Sequence, residues 1–406
     1  MNFDVEKTRK DFPILKRKIQ GNNLIYLDNA ASAQKPNEVL DRIKEFESND
    51  YANVHRGLHT LSVLSTSAYE ESRLILKDFL NAEFSDEIIF TMGGTDSINL
   101  VAYSYAEQNL NSNDEIIITT MEHHANIVPW HFLRERKGIK IKWIDCDENG
   151  NISLDDFESS ISSKTKLISV TQMSNVLGST PDIKSLITLA HSYNIPVLVD
   201  GCQGVVHEKT DVQELDCDFY VFSGHKAYGP TGVGVLYAKK KYLEKMRPWR
   251  GGGDMIKHVQ KDKITYADYP NKFEAGTPNI TGVIGLGTAI NYFKRKISQG
   301  LFDYERDIAH YLHSQIKEIK DIVIYGKDNQ YSPLVSFNVK GTHPHDLSTI
   351  IDNYGIAVRA GQHCCGPLME LLGINSSARA SIAMYTNKKD IDNFITALEK
   401  SILLFK

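Results

Sequence analysis

The chain has 406 residues, enough for two or three domains with a sizeable core. Apolar residues make up 41% and charged residues 24%, which excludes a disordered chain, a collagen and a coiled coil. A net charge of −5 excludes a bulk basic surface, so no nucleic-acid partner is expected.

Short β-branched runs alternate with longer amphipathic ones. In chain order the pattern predicts helices over 37–47 and 65–80, a strand over 88–91 and a helix over 95–109. A strand over 115–119, a helix over 126–137, a strand over 139–144 and a helix over 154–160 follow. Next come a strand over 166–170, a helix over 183–193, and strands over 197–200, 218–222 and 234–238. This alternation predicts an α/β fold with a mostly parallel sheet and helices on both faces. Runs such as Ile116-Ile117-Ile118 and Val197-Leu198-Val199 fit strands buried on both sides. No helix separates the last two strands, so one strand there is expected to run antiparallel. Residues 250–280 hold Gly251, Gly252, Gly253, Pro270, Gly276 and Pro278 and read as an ordered loop region. Beyond it lie one long helical pattern from Gly282 to Ile319, strands near 322–325, 334–339 and 357–360, and a helix over 389–403. That suggests a smaller α+β domain. The expected division is an N-terminal segment 1–25 packing with the small domain, a large domain 26–280 and a small domain 281–406.

The five cysteines include no Cys-x-x-Cys pair, which argues against a disulfide framework and for a reducing compartment. The N-terminal run has no apolar h-region, and no stretch reaches the ~18 apolar residues of a membrane span. A cytoplasmic chain with no membrane partner is expected.

In an open α/β sheet, ligands bind outside the carboxyl ends of the strands. Gly93-Gly94-Thr95 follows one strand and opens a helix, a setting for a phosphate. It matches neither of the glycine patterns of ATP or dinucleotide sites. Asp200 ends an apolar run, where a carboxylate needs a cation: a protonated ring nitrogen, a magnesium ion or a buried arginine. Lys226 follows another apolar run, and a lysine in a dry site can attack a carbonyl. An amine for an aldehyde and an acid for a pyridine nitrogen are what pyridoxal phosphate requires. His123 and His124 lack any zinc spacing, so no metal is expected, and a ring stacked on a flat cofactor suits His123 better. Cys364-Cys365 lies between Gly361 and Gly366, near Arg359 and His363. It reads as a nucleophile, a buried structural pair or a vicinal disulfide.

Together these motifs resemble the pyridoxal-phosphate cysteine desulfurases, specifically the SufS-type group of the class V aminotransferase superfamily. The resemblance runs through Tyr26-Leu27-Asp28-Asn29-Ala30-Ala31-Ser32, Asn53-Val54-His55-Arg56-Gly57 and Thr120-Met121-Glu122-His123-His124-Ala125-Asn126. It continues through Val199-Asp200-Gly201-Cys202-Gln203, Ser223-Gly224-His225-Lys226, Phe273-Glu274-Ala275-Gly276-Thr277-Pro278 and Arg359 to Cys364. It implies fold type I, bound pyridoxal 5'-phosphate, and conversion of L-cysteine to L-alanine. Sulfur would pass as a Cys364 persulfide to an acceptor protein of SufE or SufU type, for iron–sulfur cluster assembly.

The resemblance also implies residue roles. Lys226 would hold the cofactor and move the substrate Cα proton, Asp200 would face the ring nitrogen, and Gln203 would face the phenolic oxygen. His123 would stack on the ring and act in proton transfer. Thr95, Ser223 and His225 would bind the phosphate, joined by Thr277 from a second chain, which implies a homodimer. Asn175 and Arg379 would hold the substrate carboxylate, with Arg359, His55 and Arg56 lining the site. Gln362 stands where the family usually has a histidine, and Cys365 where it has an alanine. His343-Pro344-His345-Asp346 resembles a segment of members that work with a zinc-containing sulfur acceptor. Selenocysteine lyase and cysteine sulfinate desulfinase share the scaffold. A class V aminotransferase or kynureninase-like enzyme would need no Cys364, and a non-catalytic binding homologue would need neither Lys226 nor Asp200.

Overall fold

The computed structural model describes residues 3–405. At its centre is a seven-stranded sheet. Its strands are β1 (Ile88–Thr91), β2 (Glu115–Thr119), β3 (Lys140–Ile144), β4 (Thr165–Thr171), β5 (Val197–Asp200), β6 (Phe219–Ser223) and β7 (Gly234–Ala238). They lie side by side in the order β1-β7-β6-β5-β4-β2-β3. From β6 to β3 all neighbours are parallel, while β7 runs antiparallel to both β1 and β6. The chain between β6 and β7 is too short for a helical crossover, and without one a returning strand pairs antiparallel.

Both faces of the sheet are covered. Ile116, Ile118, Leu167 and Leu198 pack with Trp130 and Leu133 on one side. Ile117, Ile168, Val170, Val197 and Val199 pack with Leu76, Ile187 and Ile290 on the other. Alternate residues thus enter different cores, and no polar phase is left along the strand. The parallel strands finish in line, with Thr171 beside Asp200 and Asp200 beside Val221. The residues that follow Thr119, Thr171, Asp200 and Ser223 therefore emerge at one edge. Gly234 of β7 closes that edge by pairing with both Thr91 and Ser223. A Cβ there would stand 2.4 Å from Gly93 Cα, so only glycine allows the approach.

Three expectations change. The long helix is two helices, Ile280–Ser298 and Leu301–Lys317, broken at Gly300 with φ +94°. The first packs on the helices Asn37–Asn49 and Thr60–Leu80, whereas the second sends Ile308, Leu312 and Ile316 into a separate core. Residues 250–280 are not all loop. They contain a hairpin of Ile256–Val259 with Ile264–Tyr266, mostly exposed and so without apolar alternation to read. The strand expected near 357–360 is split. Ile356–Ala357 pairs in parallel with Ile25–Tyr26, and the next residues join a second sheet.

That second sheet is antiparallel, with β8 (Ile322–Tyr325), β9 (Leu334–Val339), β10 (Arg359–Gly361) and β11 (Ser377–Ser381) in the order β8-β9-β11-β10. The apolar pattern foresaw neither β11 nor the helices Pro344–Asp352 and Gly366–Leu371. In β11, Ala378 and Ala380 enter the core with Val335, Phe337 and Leu398. By the two-residue period Ser377, Arg379 and Ser381 take the opposite face. That face meets the loop after β4, where Ser336 Oγ donates to the Val176 carbonyl at 2.6 Å. Near the N-terminus, Arg9 donates to the Asp390 carboxylate and the Tyr385 carbonyl. Phe12 meanwhile packs against Tyr228, Tyr292 and Tyr385, so the segment contacts both bodies. Among the described residues no helix is long and apolar enough to cross a membrane.

Candidate active site

A cavity of about 220 Å³ opens where the ends of β4, β5 and β6 meet the polar face of β11. Thr95, His123, Asn175, Asp200, Gln203, Ser223, His225, Lys226, Arg359 and Arg379 all line it. A larger groove of about 560 Å³ shares only Met173 with it and holds none of the expected site residues.

Asp200 is 4% exposed, and its Oδ1 accepts the Cys202 N–H at 3.0 Å. Among the described residues no cation forms an ion pair with it, so this buried carboxylate stands ready for a ligand's cationic group. His123 Nδ1 accepts the Ala125 N–H at 3.0 Å, which assigns the proton of the neutral ring to Nε2. Burial, helped by the charge of Lys226, holds His123 down to about 3. Burial and Lys226 likewise hold His225 down to about 4. Gln203 Nε2 donates to the Ala30 carbonyl at 2.7 Å.

At the start of the helix Gly94–Val101, the Gly94 N–H donates to Ser223 Oγ at 2.8 Å. A Cβ on Gly94 would stand 2.6 Å from Cys202 Sγ, so the glycine keeps this cradle open. The positive helix end, the hydroxyls of Thr95 and Ser223 and the His225 ring come together at the cavity wall, a setting that suits an anion.

Across the cavity Arg359 and Arg379 sit directly opposite each other on β10 and β11. Like charges so placed repel, which calls for an anion between or beside them. Arg379 is 1% exposed, and burial holds it down to about 10. Its Nη1 donates to the Asn175 carbonyl at 2.7 Å, and Nη2 lies 3.4 Å from Asp28 Oδ1. Its Nε is buried with no partner. Arg359 Nη2 lies 3.8 Å from Cys364 Sγ, which sets a full positive charge against that sulfur. These groups fit pyridoxal phosphate: an amine, a dry carboxylate, a neutral imidazole, a phosphate cradle and a separate anion site.

Within one chain, His55, Arg56 and Thr277 lie outside the cavity; Thr277 was expected at the phosphate of a second chain. His55 Nε2 is 2.9 Å from Glu70 Oε1, and Arg56 is ion-paired with Asp254. Thr277 lines another groove with Trp249, Arg250 and Glu274. His55 reaches the buried Arg73–Glu274 pair through Glu70, and Thr277 shares its groove with Glu274; the 2.8 Å contact of that pair ties the loop to the helix Thr60–Leu80. The resemblance assigns Glu122, His124 and Cys365 no role, yet they hold the neighbours of the expected site residues. Glu122 is fully buried and accepts from Thr119 Oγ1, the Thr171 N–H and Asn126 Nδ2. Burial pushes it up to about 8. Cys365 is buried, with Sγ 3.2 Å from the Glu122 carbonyl, and Cys364 and Cys365 are both free thiols.

A pH dependence follows from the buried imidazoles. Burial, with Arg379 and Arg359 nearby, also holds His363 down to about 3. Between that value and the ordinary 6.5, the unfolded chain binds protons that the folded chain refuses. Stability therefore falls as pH drops below 6.5, on the order of 1 kcal/mol per pH unit for each such imidazole. Urea unfolding at pH 7 and pH 5 checks this; equal free energies at both would contradict it.

The chain is also similar to known proteins in sequence and fold. The aminotransferase class-V family model matches residues 25–394. A cysteine desulfurase of Escherichia coli O157:H7 (strain EC4115 / EHEC) is 45% identical over 401 residues, 98% of each chain. The crystal structure of the cysteine desulfurase CsdA (S-sulfonic acid) from Escherichia coli superposes with a TM-score of 0.92 at 39% identity, covering 100% of both chains. The apo structure of a cysteine desulfurase from Thermococcus onnurineus NA1 gives 0.92 at 37% identity over 98% of each.

Proposed function

We propose a division of labour for this chain, which belongs to the class-V aminotransferase family and is a pyridoxal-phosphate-dependent cysteine desulfurase, with Cys364 as first acceptor of the sulfur. The observation that carries it is convergence: Lys226, Asp200, His123 and two opposed arginines line one cavity, with the Cys364 sulfur beside Arg359.

Bound there, pyridoxal phosphate supplies an aldehyde for amines and a ring that accepts electrons from the substrate Cα. Lys226 Nζ would hold the aldehyde, then take the Cα proton and return it. Asp200 would hold a proton on the ring nitrogen by facing it with a desolvated negative charge. His123 would lie on the ring with its Nε2–H free to donate. The Gly94 turn, Thr95, Ser223 and His225 would bind the phosphate, and Gln203 would face the phenolic oxygen. Arg379 would hold the substrate carboxylate through its fork, with Asn175 beside it. Cys364 Sγ, as a thiolate, would take the sulfur: an S–S bond forms as the substrate's Cβ–S bond breaks, the bonding pair stays on the carbon side, and Cβ gains a proton to balance the one the substrate thiol gives up. L-alanine then leaves, and the persulfide remains on Cys364.

The sulfur then passes to an acceptor protein, as cysteine desulfurases do; we take a SufE or SufU type as the acceptor and iron–sulfur cluster assembly as its destination. The resemblance of His343-Pro344-His345-Asp346 to a segment of members with a zinc-containing acceptor favours that kind, and its two histidines are exposed at the start of the helix Pro344–Asp352, with their rings stacked 5.3 Å apart. Two chains would pair, so that Thr277 of one reaches the phosphate held by the other, with His55 and Arg56 at the same junction. Leu58, Leu61 and Leu64 are exposed beside them, which supports burial there.

Mixing the cofactor-loaded protein with L-cysteine for one turnover, then weighing the Cys364-Cys365 peptide, tests the assignment. A gain of one sulfur on Cys364 with matching alanine is expected. Alanine without the gain would move the acceptor role away from Cys364.

A further inference from the structure

The loop that carries Cys364 is bent where most side chains resist it. His363 and Cys364 stand consecutively at φ +52° and +57°, the left-handed region that glycine alone enters freely. Such a pair persists only where its surroundings fix it. Asn175 Nδ2 donates to the His363 carbonyl at 2.8 Å. The rest of the hold comes from the segment after β2. The His124 N–H donates to the Cys364 carbonyl at 2.7 Å. His124 Nε2 accepts the Gly366 N–H at 3.0 Å, one of the opening amides of the helix Gly366–Leu371 that have no partner within it. One residue thus grips the chain on both sides of Cys365, whose own Sγ donates to the Glu122 carbonyl at 3.2 Å. The buried Glu122 carboxylate, bonded to Thr119, Asn126 and Thr171, anchors this segment in turn.

We propose that His124 is a positioning residue for sulfur transfer. By accepting the Gly366 N–H at Nε2 while its backbone holds the Cys364 carbonyl, it keeps Cys364 in the left-handed turn that sets its sulfur beside Arg359. The inference rests on Cys364 being the sulfur acceptor. His124 does not line the cavity, so a change there leaves the cofactor-facing groups in place.

The test compares His124→Asn and His124→Gln in the cofactor-loaded enzyme. Glutamine places an acceptor near the position of Nε2, asparagine stops one methylene short, and both keep the backbone N–H. The readouts are the bound-cofactor spectrum, hydrogen exchange of the 362–369 peptide, and the single-turnover rate of sulfur loading on Cys364. The spectrum should match the parent in both variants. Asparagine should slow loading about 10-fold and speed exchange by a similar factor, the scale of one lost hydrogen bond, while glutamine should keep both within about threefold. Parent-like loading and exchange in the asparagine variant would overturn the proposal, and so would a glutamine variant as slow as asparagine. Should the asparagine variant not fold, exchange of Gly366 in the parent decides: protection supports the clamp, and free exchange overturns it. A parent that loads no sulfur on Cys364 would instead defeat the functional reading, with the exchange data still reporting on the clamp.

Discussion

Lys226→Ala is expected to lower turnover of L-cysteine by about 10³-fold or more, because one side chain serves as both amine and proton carrier. Among the described residues no other lysine lines the cavity. Lys226 sits in the Gly224–Lys226 turn that follows β6, and among the described residues its Nζ makes no ion pair. The loss should therefore fall on chemistry and not on folding, with a thermal midpoint close to the parent's. A second consequence is electrostatic. The Lys226 charge is the second cause, after burial, of the lowered proton affinity of His123 and His225. Removing it should raise both toward 6.5, while burial keeps both below that value. Alanine formation and solvent deuterium uptake at the substrate Cα are the measurements. Uptake at the parent rate would take the proton-carrying role away from Lys226.

The parts of this molecule that could be read from its residues are those whose cause is local. β1, β2, β5 and β7 stand where their apolar runs place them, because each run is buried throughout, with only Thr91 at the end of β1 half-buried. Asp200 and Lys226 were recognisable as polar groups just past such runs. β11 was not, because Ser-Ala-Arg-Ala-Ser has no large apolar residue and buries an arginine that hydropathy assigns to the surface. The opposition of Arg359 to Arg379 exists only once β10 pairs with β11, and pairing register is a tertiary fact. The break at Gly300 had a local signal, a glycine after Gln299, that the continuing amphipathic pattern outweighed. The support of Cys364 by His124, Asn175 and Glu122 joins segments far apart in the chain, and no spacing rule reaches that far. His55 and Arg56 show the converse: motif resemblance grouped them with the site, and the fold of one chain sets them outside its cavity, while Thr277, in another groove, is the residue that the resemblance assigns to a second chain.

Cys364→Ser should abolish sulfur loading while leaving Cα deuterium uptake and the cofactor spectrum in place. Serine keeps the size of the side chain and suits the same left-handed turn, but an oxygen cannot form the S–S bond. Sulfur release without a reductant should fall by about 10²-fold or more, since the acceptor is lost rather than misplaced. The neighbouring thiols offer no substitute. Cys365 is fully buried, its Sγ turned toward the carbonyls of Met121 and Glu122, and burial pushes its thiol far up. Cys202 lines the cavity, but burial and the Asp200 charge push its thiol up as well. A thiol held protonated is a poor nucleophile toward sulfur. The variant therefore separates two chemistries that share every cofactor-facing residue. A lyase that lets selenium depart as the element, or a sulfinate as sulfur dioxide, leaves the bonding pair on carbon without an acceptor, and would run undiminished in Cys364→Ser with its own substrate. A desulfurase stops there with L-cysteine, because its sulfur must leave Cβ without the bonding electrons and needs a nucleophilic sulfur to receive it. Parent-rate alanine from L-cysteine in Cys364→Ser would show that the Arg359-paired sulfur is not the acceptor. Loss confined to L-cysteine, with selenocysteine still consumed, would place the requirement for Cys364 on the S–S bond itself.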